Sequence, residues 1–207
     1  MSDSSAPTVR RTQAERSAAT IDGLLSAAVE SLMEVGYART STQDICKRAG
    51  VSQGALFRHF PSRLAFMIAV AEHVSKQLVL QFSTRFRLIE QQQPTDIIGL
   101  AMNLARENTR SPHQQAWIEL LIAARTDNDL RLAIQPIREN YRREIRLEAR
   151  DLMPTLINVI PDFDTAVEVV TMFYQGEAIY QGLDPHESGD DRRSAWIANL
   201  LRGMSGA

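Results

Sequence analysis

A chain of 207 residues is long enough for one or two folded domains, and its hydrophobic fraction of 44% is that of an ordinary globular protein with a real core. The net charge of −2 does not by itself indicate a nucleic-acid partner, and no apolar run approaches the roughly 20 residues that span a bilayer, so no membrane partner is expected. The single cysteine, Cys46, excludes a disulfide within the chain and favours a cytoplasmic protein, in which packing is a more common role for this residue than redox switching.

The first residues are small and polar and end in Arg10-Arg11, so residues 1–12 are expected to form a disordered tail. An amphipathic helix is predicted next, over residues 14–35. Its apolar side chains recur three and four residues apart, which is the spacing of one buried stripe. They are Ile21, Leu25, Ala28, Leu32 and Val35. Gly36 is expected to end this helix, because glycine readily adopts the left-handed conformation found after many helix C-termini.

Residues 41–60 predict two short helices joined by a tight turn. Thr42 is the expected N-cap of the first helix and Gly50 the left-handed residue that ends it. Ser52 is the expected N-cap of the second helix, which runs from Gln53 to His59. That helix is too short to be stable alone, so it must be held by packing.

The two faces of the second short helix differ in kind. Leu56 and Phe60 are expected to point inward, whereas the outward side carries groups suited to bases and phosphates. These outward residues are Gln53, Ala55, Arg58 and His59. The arrangement is typical of the helix-turn-helix, whose second helix enters a DNA major groove. A plain helical hairpin inside a core is the alternative.

The rest of the chain predicts helix after helix, with no alternating strand pattern of convincing length. Pro61-Ser62 ends the short helix and starts a long one, from Arg63 to about Glu90. Later helices are expected to begin at capping residues: Thr95, Ser111-Pro112, Asp127, Asp164, and Asp190 or Asp191. Pro136 is expected to interrupt and kink the helix that begins at Asp127. The predicted organisation is a tail over 1–12, a head over 13–62, a linking helix over 63–90 and a second domain over 91–207.

The segment from Thr42 to Arg63 resembles the DNA-binding signature of TetR-family transcriptional regulators. The resemblance is carried by Thr42, Ile45, Ala49, Gly50, Val51, Ser52, Gly54, Leu56, Phe57, His59, Phe60, Ser62 and Arg63. Phe57 departs from the family, which usually has a tyrosine there whose hydroxyl reaches a phosphate, and Arg63 replaces the commoner lysine. The resemblance implies an all-α fold in which a three-helix, helix-turn-helix head is joined by a long helix to a helical effector and dimerisation domain.

Residue pattern and resemblance together predict a transcriptional regulator bound to a palindromic double-stranded DNA operator, most simply a repressor released by a small-molecule effector. Gln53 is the expected base reader, since its amide can pair with adenine through two hydrogen bonds, and Ala55 can contact a thymine methyl. Candidates for phosphate contacts are Thr42, Gln43, Ser52, Arg58, His59 and Arg63, with Gly54 allowing close approach and Phe57 packing on the DNA backbone. By resemblance, Tyr37 packs against the head near a phosphate. Arg10 and Arg11 either lie along the DNA or are simply solvated.

The resemblance also implies a homodimer in which helices over 165–181 and 191–202 of each subunit pair into a four-helix bundle. The expected interface residues are Thr165, Val169, Gly176, Tyr180, Trp196, Ile197, Leu200 and Leu201. An effector pocket is sketched from apolar residues with two polar anchors, the composition of most small-molecule sites. Its candidates are Met102, Trp117, Leu121, Arg125, Met172, Phe173, Tyr174 and Glu177. Each of these is also compatible with plain core or surface.

Catalytic and metal sites are not indicated. His59, His73, His113 and His186 show no metal-ligand spacing with one another or with the cysteine, and no Gly-x-Ser-x-Gly turn is present. An enzyme and a resident cofactor are therefore not expected. A ligand-independent DNA-binding protein, whose second domain serves dimerisation or a protein partner, is the main alternative. The sequence does not separate repression from activation.

Overall fold

The computed structural model describes residues 12–183 and 190–205, and within these ranges it contains helices and no strands. The helices are α1 (Gln13–Arg39), α2 (Thr42–Ala49), α3 (Gln53–His59), α4 (Arg63–Glu90), α5 (Ile97–Thr109), α6 (Pro112–Ala123), α7 (Asn128–Leu152), α8 (Phe163–Leu183) and α9 (Asp190–Ser205), with a 3₁₀ turn at Pro154–Leu156. The predicted all-α class is confirmed. No helix in the described ranges is both long and apolar enough to cross a membrane. The predicted tail, including Arg10 and Arg11, lies outside the described residues apart from Thr12.

Polar side chains start most of the helices. Ser52, Ser62, Ser111 and Asp127 cap α3, α4, α6 and α7 as expected, each accepting a hydrogen bond from a first-turn amide. Asp164, the expected cap of α8, lies inside that helix, and the Asp162 carboxylate accepts the amide of Thr165 instead. Two other expected caps are wrong by one residue. The hydroxyl of Ser41, rather than that of Thr42, receives the amide of Asp44, and Asp96 rather than Thr95 caps α5. In both places two neighbouring side chains have suitable oxygens, and sequence alone does not choose between them.

Gly36 ends the first helical segment of α1, as expected, and a short second segment continues across a bend to Arg39. The backbone angles of Gly36, φ 75° and ψ 169°, lie in a region that essentially only glycine occupies. Pro136, by contrast, does not interrupt α7, which runs through it from Asn128 to Leu152. Pro136 is exposed, on the solvent side of the helix.

The largest apolar cluster is shared between the head and the rest of the chain. It runs from α1, α2 and α3 along α4 into α6 and α7. Its largest fully buried members include Phe66 on α4 and Trp117 on α6, and the indole of Trp117 meets the ring of Tyr141 edge-on at 5.4 Å between centroids. Because α4 has 28 residues, it extends for about 40 Å along this core and reaches a second, smaller cluster at its far end. The head is thus packed on the body as well as linked to it.

Three glycine-to-alanine variants should separate backbone strain from loss of flexibility. Gly36→Ala should lower the free energy of unfolding by about 2–3 kcal/mol, because an alanine strains this backbone region and its Cβ would come within 2.9 Å of the Glu119 carboxylate. Gly50→Ala should cost about 1 kcal/mol, since φ is 68° there but no atom lies within 4 Å of the added carbon.

Gly23→Ala is the matched control, because Gly23 is an ordinary helical residue with open space around it. It should stabilise the protein by up to about 1 kcal/mol. Urea denaturation of the three variants measures these differences. Equal costs at Gly36 and Gly23 would contradict the assignment of strain to the bend.

Candidate nucleic-acid interface

The short helix α3 is held from beneath and capped at its start. The hydroxyl of Ser52 accepts the amide of Ala55 at 3.1 Å. Leu56 is completely buried, and the ring of Phe60, just after the helix, packs on Phe66 of α4 with 5.0 Å between centroids. These contacts supply the stability that seven residues lack on their own.

The turn before α3 fixes its direction relative to α2. Gly50 is left-handed, with φ 68° and ψ 29°. The amide of Val51 reaches back to the carbonyl of Cys46 at 3.0 Å, and the amide of Gly50 to that of Lys47 at 3.3 Å. These two bonds form a Schellman motif, which satisfies carbonyls that the end of α2 would otherwise leave unpaired.

The outward face of α3 presents chemically different groups to solvent. Gln53, Gly54 and Arg58 are exposed, and Phe57 exposes 44% of its surface. Ala55 and His59 are half-buried. The Nε2 atom of His59 is enclosed without a hydrogen-bond partner among the described residues. On the neighbouring elements, Gln43 and Ser52 are exposed and Thr42 is half-buried. The geometry therefore brings an amide, a guanidinium and an aromatic ring to one accessible surface.

Arg63, at the start of α4, is bonded inside the head. Its guanidinium donates to the Tyr37 hydroxyl at 2.7 Å, to the Tyr37 carbonyl at 3.1 Å and to the Thr40 carbonyl at 3.3 Å. It also lies 4.3 Å from the centre of the Tyr37 ring. A phosphate contact was expected for Arg63. In the structure its hydrogen bonds join the start of α4 to the end of α1, and this contact is called the Arg63 clamp.

A second arginine joins α2 to α1. Arg48 lies 3.1 Å from the Glu30 carboxylate and 2.5 Å from that of Glu34. Its hydrogen bonds hold the pKa of Glu34 below the ordinary value. All three side chains are accessible to solvent, so this pairing orients the helices more than it stabilises them.

The bend at Gly36 also meets the body of the protein. The Glu119 carboxylate on α6 accepts the amide of Tyr37 at 3.3 Å. Tyr37 is therefore bonded through its amide to α6 and through its carbonyl and hydroxyl to α4.

A cavity of about 120 Å³ lies among α4, α5, α7, α8 and α9. Its wall is mainly apolar, and α4 contributes Leu78, Val79 and Phe82 to it. A smaller hollow of about 40 Å³ adjoins it and shares the wall residues Tyr141, Ile145 and Thr171. The cavity thus touches the helix that starts beside α3.

Comparison with known proteins identifies this architecture. Residues 24–70, which include the whole helix-turn-helix, match the model of bacterial regulatory proteins of the tetR family. An uncharacterised HTH-type transcriptional regulator of Mycobacterium tuberculosis (strain H37Rv) is 34% identical over 191 residues, covering 92% of this chain and 97% of that protein. The chain belongs to the TetR family of DNA-binding transcriptional regulators. This membership makes the helix-turn-helix a DNA-binding element and the protein a regulator, not an enzyme.

Solved structures of the family share the fold of this TetR-family chain at low sequence identity. A TetR-family regulator from Rhodococcus sp. superimposes with a TM-score of 0.69 at 17% identity, over 91% of this chain and 99% of that one. FadR of Bacillus subtilis, solved in complex with stearoyl-CoA, gives 0.61 at 18% identity, over 87% and 96% of the two chains. At these identities the likeness extends to the fold alone.

The residues expected at the effector pocket are divided between several places in this regulator, although Met102, Phe173 and Tyr174 share one apolar cluster. Met102 lines the cavity, whereas Trp117, Leu121 and Met172 line the smaller hollow. The others lie elsewhere. Arg125 is exposed after the end of α6, Phe173 packs against the ring of Tyr174, the buried hydroxyl of Tyr174 is bonded to that of Ser194, and Glu177 pairs with Arg193 at 2.8 Å.

The residues expected at the dimer interface divide between two faces of α8 and α9. Val169, Tyr180, Trp196 and Leu200 are exposed apolar residues, and Thr165 is also exposed. Gly176 is half-buried, and an added Cβ there would meet no atom within 4 Å. Ile197 and Leu201 instead pack inward on the smaller apolar clusters, and Leu201 also lines the cavity. These two residues face the subunit's own core, although each directly follows an exposed residue, Trp196 or Leu200, in the sequence.

Two residues that contribute to the cavity wall and to the bend at Gly36 were not predicted from the sequence. Tyr141 lies in a charged run of α7, but Tyr141, Ile145 and Ala149 are spaced four apart, which marks the buried stripe that faces the cavity. Glu119 carried no such signal, because its contact with Tyr37 joins residues far apart in the chain.

Replacing Arg63 by lysine should destabilise the head, because an ammonium group cannot make the three hydrogen bonds that the planar guanidinium donates to Tyr37 and Thr40. Arg63→Lys should lower the free energy of unfolding by about 1–2 kcal/mol, and Tyr37→Phe, which removes only the hydroxyl, by about 1 kcal/mol. The double variant should cost less than the two single changes together, since both remove the same bond.

Arg39→Lys is the control for this test. Arg39 is exposed and, among the described residues, donates only to the Val35 carbonyl of α1, so the change should stay within about 0.5 kcal/mol. Chemical denaturation measures all four variants. A cost at Arg63 no greater than at Arg39 would argue against the clamp.

Proposed function

We propose that this regulator is a homodimeric repressor that leaves a palindromic operator when a small molecule occupies the cavity among α4, α5, α7, α8 and α9. The observation that carries the proposal is the position of the cavity. Three of its wall residues, Leu78, Val79 and Phe82, belong to α4, the helix that begins beside the recognition helix α3. A protein whose second domain served only dimerisation would have no need of this space, so the cavity favours the ligand-responsive alternative.

In the proposed complex, α3 of each subunit enters a major groove, and the two grooves lie about 34–36 Å apart along the DNA. Gln53 reads a base and Ala55 contacts a thymine methyl, while Arg58 and Gln43 contact phosphates with Thr42, Ser52 and His59. Phosphate contacts position the head but carry no sequence information. Phe57 packs against the sugar-phosphate backbone, where its ring supplies apolar contact without a hydroxyl.

Arg63 contributes to this proposal chiefly by position. Its bonds to Tyr37 and Thr40 hold the start of α4 on the end of α1, which supports α3 between them. Any phosphate contact by Arg63 is made by a side chain already fixed in place.

Release follows from the geometry of α4. A ligand between α4 and the helices around it changes the spacing of the two heads only to the extent that it binds better to the conformation that does not fit DNA. FadR of Bacillus subtilis was solved with stearoyl-CoA, which makes an acyl-CoA one class of effector to test.

The dimer is proposed to form through the exposed apolar side chains of α8 and α9. Val169, Met172, Tyr180, Trp196 and Leu200 expose between 45% and 65% of their surfaces, and they recur at helical spacing. Contiguous exposed apolar surface of this kind marks interaction sites. Gly176 lies on the same helix as the first three, and no atom of its own chain requires its small size, so it is suited to close approach by a second subunit.

Selection of binding sites from random DNA duplexes, at fixed salt, tests the proposed function directly. An enriched palindrome is the expected result. Folded, dimeric protein that enriches no sequence, before and after unfolding and refolding to remove any bound ligand, would contradict it.

Gln53→Ala tests the base reader within the selected operator. Loss of a two-hydrogen-bond contact should weaken operator binding by about 1–3 kcal/mol and leave binding to random DNA nearly unchanged. Arg58→Ala is the matched control from the same helix. It should weaken binding to operator and to random DNA alike, and it should lower the salt dependence of binding by about one phosphate contact. Fluorescence anisotropy over a salt series gives both quantities. Equal losses on the two DNAs for Gln53→Ala would remove its proposed role.

Trp196→Glu tests the dimer interface. Trp196 exposes 65% of its surface, so a carboxylate there leaves the monomer folded but would be buried without a partner in the dimer. The variant should sediment as a monomer. Leu132→Glu is the control, because Leu132 is comparably exposed at 57% but lies on α7. If Trp196→Glu and Leu132→Glu sediment identically as dimers, the α8–α9 interface is wrong.

A further inference from the structure

The described residues of the cavity wall carry no positive charge. Among them the only ionisable side chains are those of Tyr141 and Glu148, and none is an arginine, lysine or histidine. Glu148 is already paired with Arg87 of α4 at 2.8 Å. A carboxylate or phosphate inside the cavity would therefore lose its hydration without gaining a counter-charge.

Most polar groups of the wall already have partners inside the protein. The Asn108 amide donates to the Leu78 carbonyl at 3.0 Å, the Thr109 hydroxyl to the Arg106 carbonyl at 2.9 Å, and the Thr171 hydroxyl to the Val167 carbonyl at 2.8 Å. The two hydroxyls donate within their own helices and the amide donates from α5 to α4, so these donor hydrogens are not available to a ligand.

Tyr141 is the exception. Only 6% of the residue is exposed, and its hydroxyl makes no hydrogen bond with any described residue. Burial raises the pKa of the phenol well above its ordinary value, so the hydroxyl stays neutral and can donate. A hydroxyl in a mainly apolar wall that has no partner in the protein gains a hydrogen bond from a ligand that supplies an acceptor. Since Tyr141 lines both the cavity and the adjoining hollow, it stands where such a ligand would lie.

The volume limits the size of the ligand. An engineered apolar cavity of roughly 150 Å³ takes up benzene. At about 120 Å³ this cavity matches one small ring with few substituents. A long acyl chain such as that of stearoyl-CoA is several times larger than this space.

We propose, building on the proposed function, that the effector is an uncharged molecule of about one ring in size, bound by a single hydrogen bond to the Tyr141 hydroxyl. Two arginines, Arg138 and Arg142, line the adjoining hollow and not the cavity itself. Arg142 is paired with Glu168, although its buried Nε has no partner among the described residues, and Arg138 is exposed to solvent. The site therefore selects against anions and for a neutral alcohol, phenol, ketone or amide on an apolar ring.

Calorimetric titration of the full-length protein with four probes tests this assignment: benzyl alcohol, toluene, benzoate and octanoyl-CoA. Benzyl alcohol should bind, and benzoate and octanoyl-CoA should bind at least tenfold more weakly or not at all. Tyr141→Phe keeps the ring and removes the hydroxyl. It should therefore weaken the affinity for benzyl alcohol about five- to tenfold and change the affinity for toluene by less than about twofold.

Thr171→Val is the matched control, since Thr171 lines the same two spaces but its hydroxyl is bonded to its own helix. It should leave the affinity for benzyl alcohol unchanged. Benzoate or octanoyl-CoA binding more tightly than benzyl alcohol would overturn the proposal, as would benzyl alcohol binding equally to wild type and Tyr141→Phe.

Affinity for the selected operator, measured in the same samples, separates this inference from the proposed function. Binding of benzyl alcohol that depends on Tyr141 but leaves operator affinity unchanged would support the site and contradict ligand release. Release of the operator by benzoate or octanoyl-CoA alone would support the proposed function and overturn the ligand class.

Discussion

The contacts of Tyr37 connect the DNA-binding head to the body of the protein. Its amide is received by Glu119 of α6, while its carbonyl and hydroxyl receive Arg63 of α4. Three helices meet at this residue, and the bend at Gly36 is what turns its backbone toward Glu119. A straight α1 would keep the Tyr37 amide inside its own helical ladder, unable to serve a neighbour. The orientation of the head thus depends on one unusual backbone conformation and the polar groups that satisfy it.

Because α4 starts at this junction and ends beyond the cavity, the two places are coupled through one rigid element. Apolar side chains pack on α4 at both ends: Phe66 lies in the largest cluster, beneath the recognition helix, and Phe82 packs on a smaller cluster and lines the cavity. Dense packing makes such a helix move as a body rather than bend locally. A shift of α4 against α6 must also change the distance between Arg63 and Glu119, which Tyr37 bridges. The polar junction and the apolar cavity therefore lie along the same helix, α4.

The features that sequence predicted well are those set by near neighbours. The turn at Gly50 and the caps at Ser52 and Ser62 depend on a few consecutive residues, and the chain carries these signals plainly. Gly36 ends the first segment of α1 as its sequence predicted, but the short segment that follows the bend, and its contact with α6, depend on residues far away in the chain. The cavity was beyond reach for a similar reason: five helices define it, and the stripe containing Tyr141 was hidden among charged residues that cover the outer face of α7.

The single thiol of the chain allows opening of the head to be measured by chemical labelling. Cys46 lies inside α2, only 2% exposed, and burial raises the pKa of its thiol, so it is both shielded and poorly ionised in the closed structure. A thiol reagent reaches this sulfur only while the packing of α1, α2 and α4 is transiently lost. Since the chain has no other cysteine, the whole labelling signal comes from exposure of this one sulfur. A labelling rate that exceeds the rate of global unfolding measures how often the head loosens while the rest of the chain stays folded.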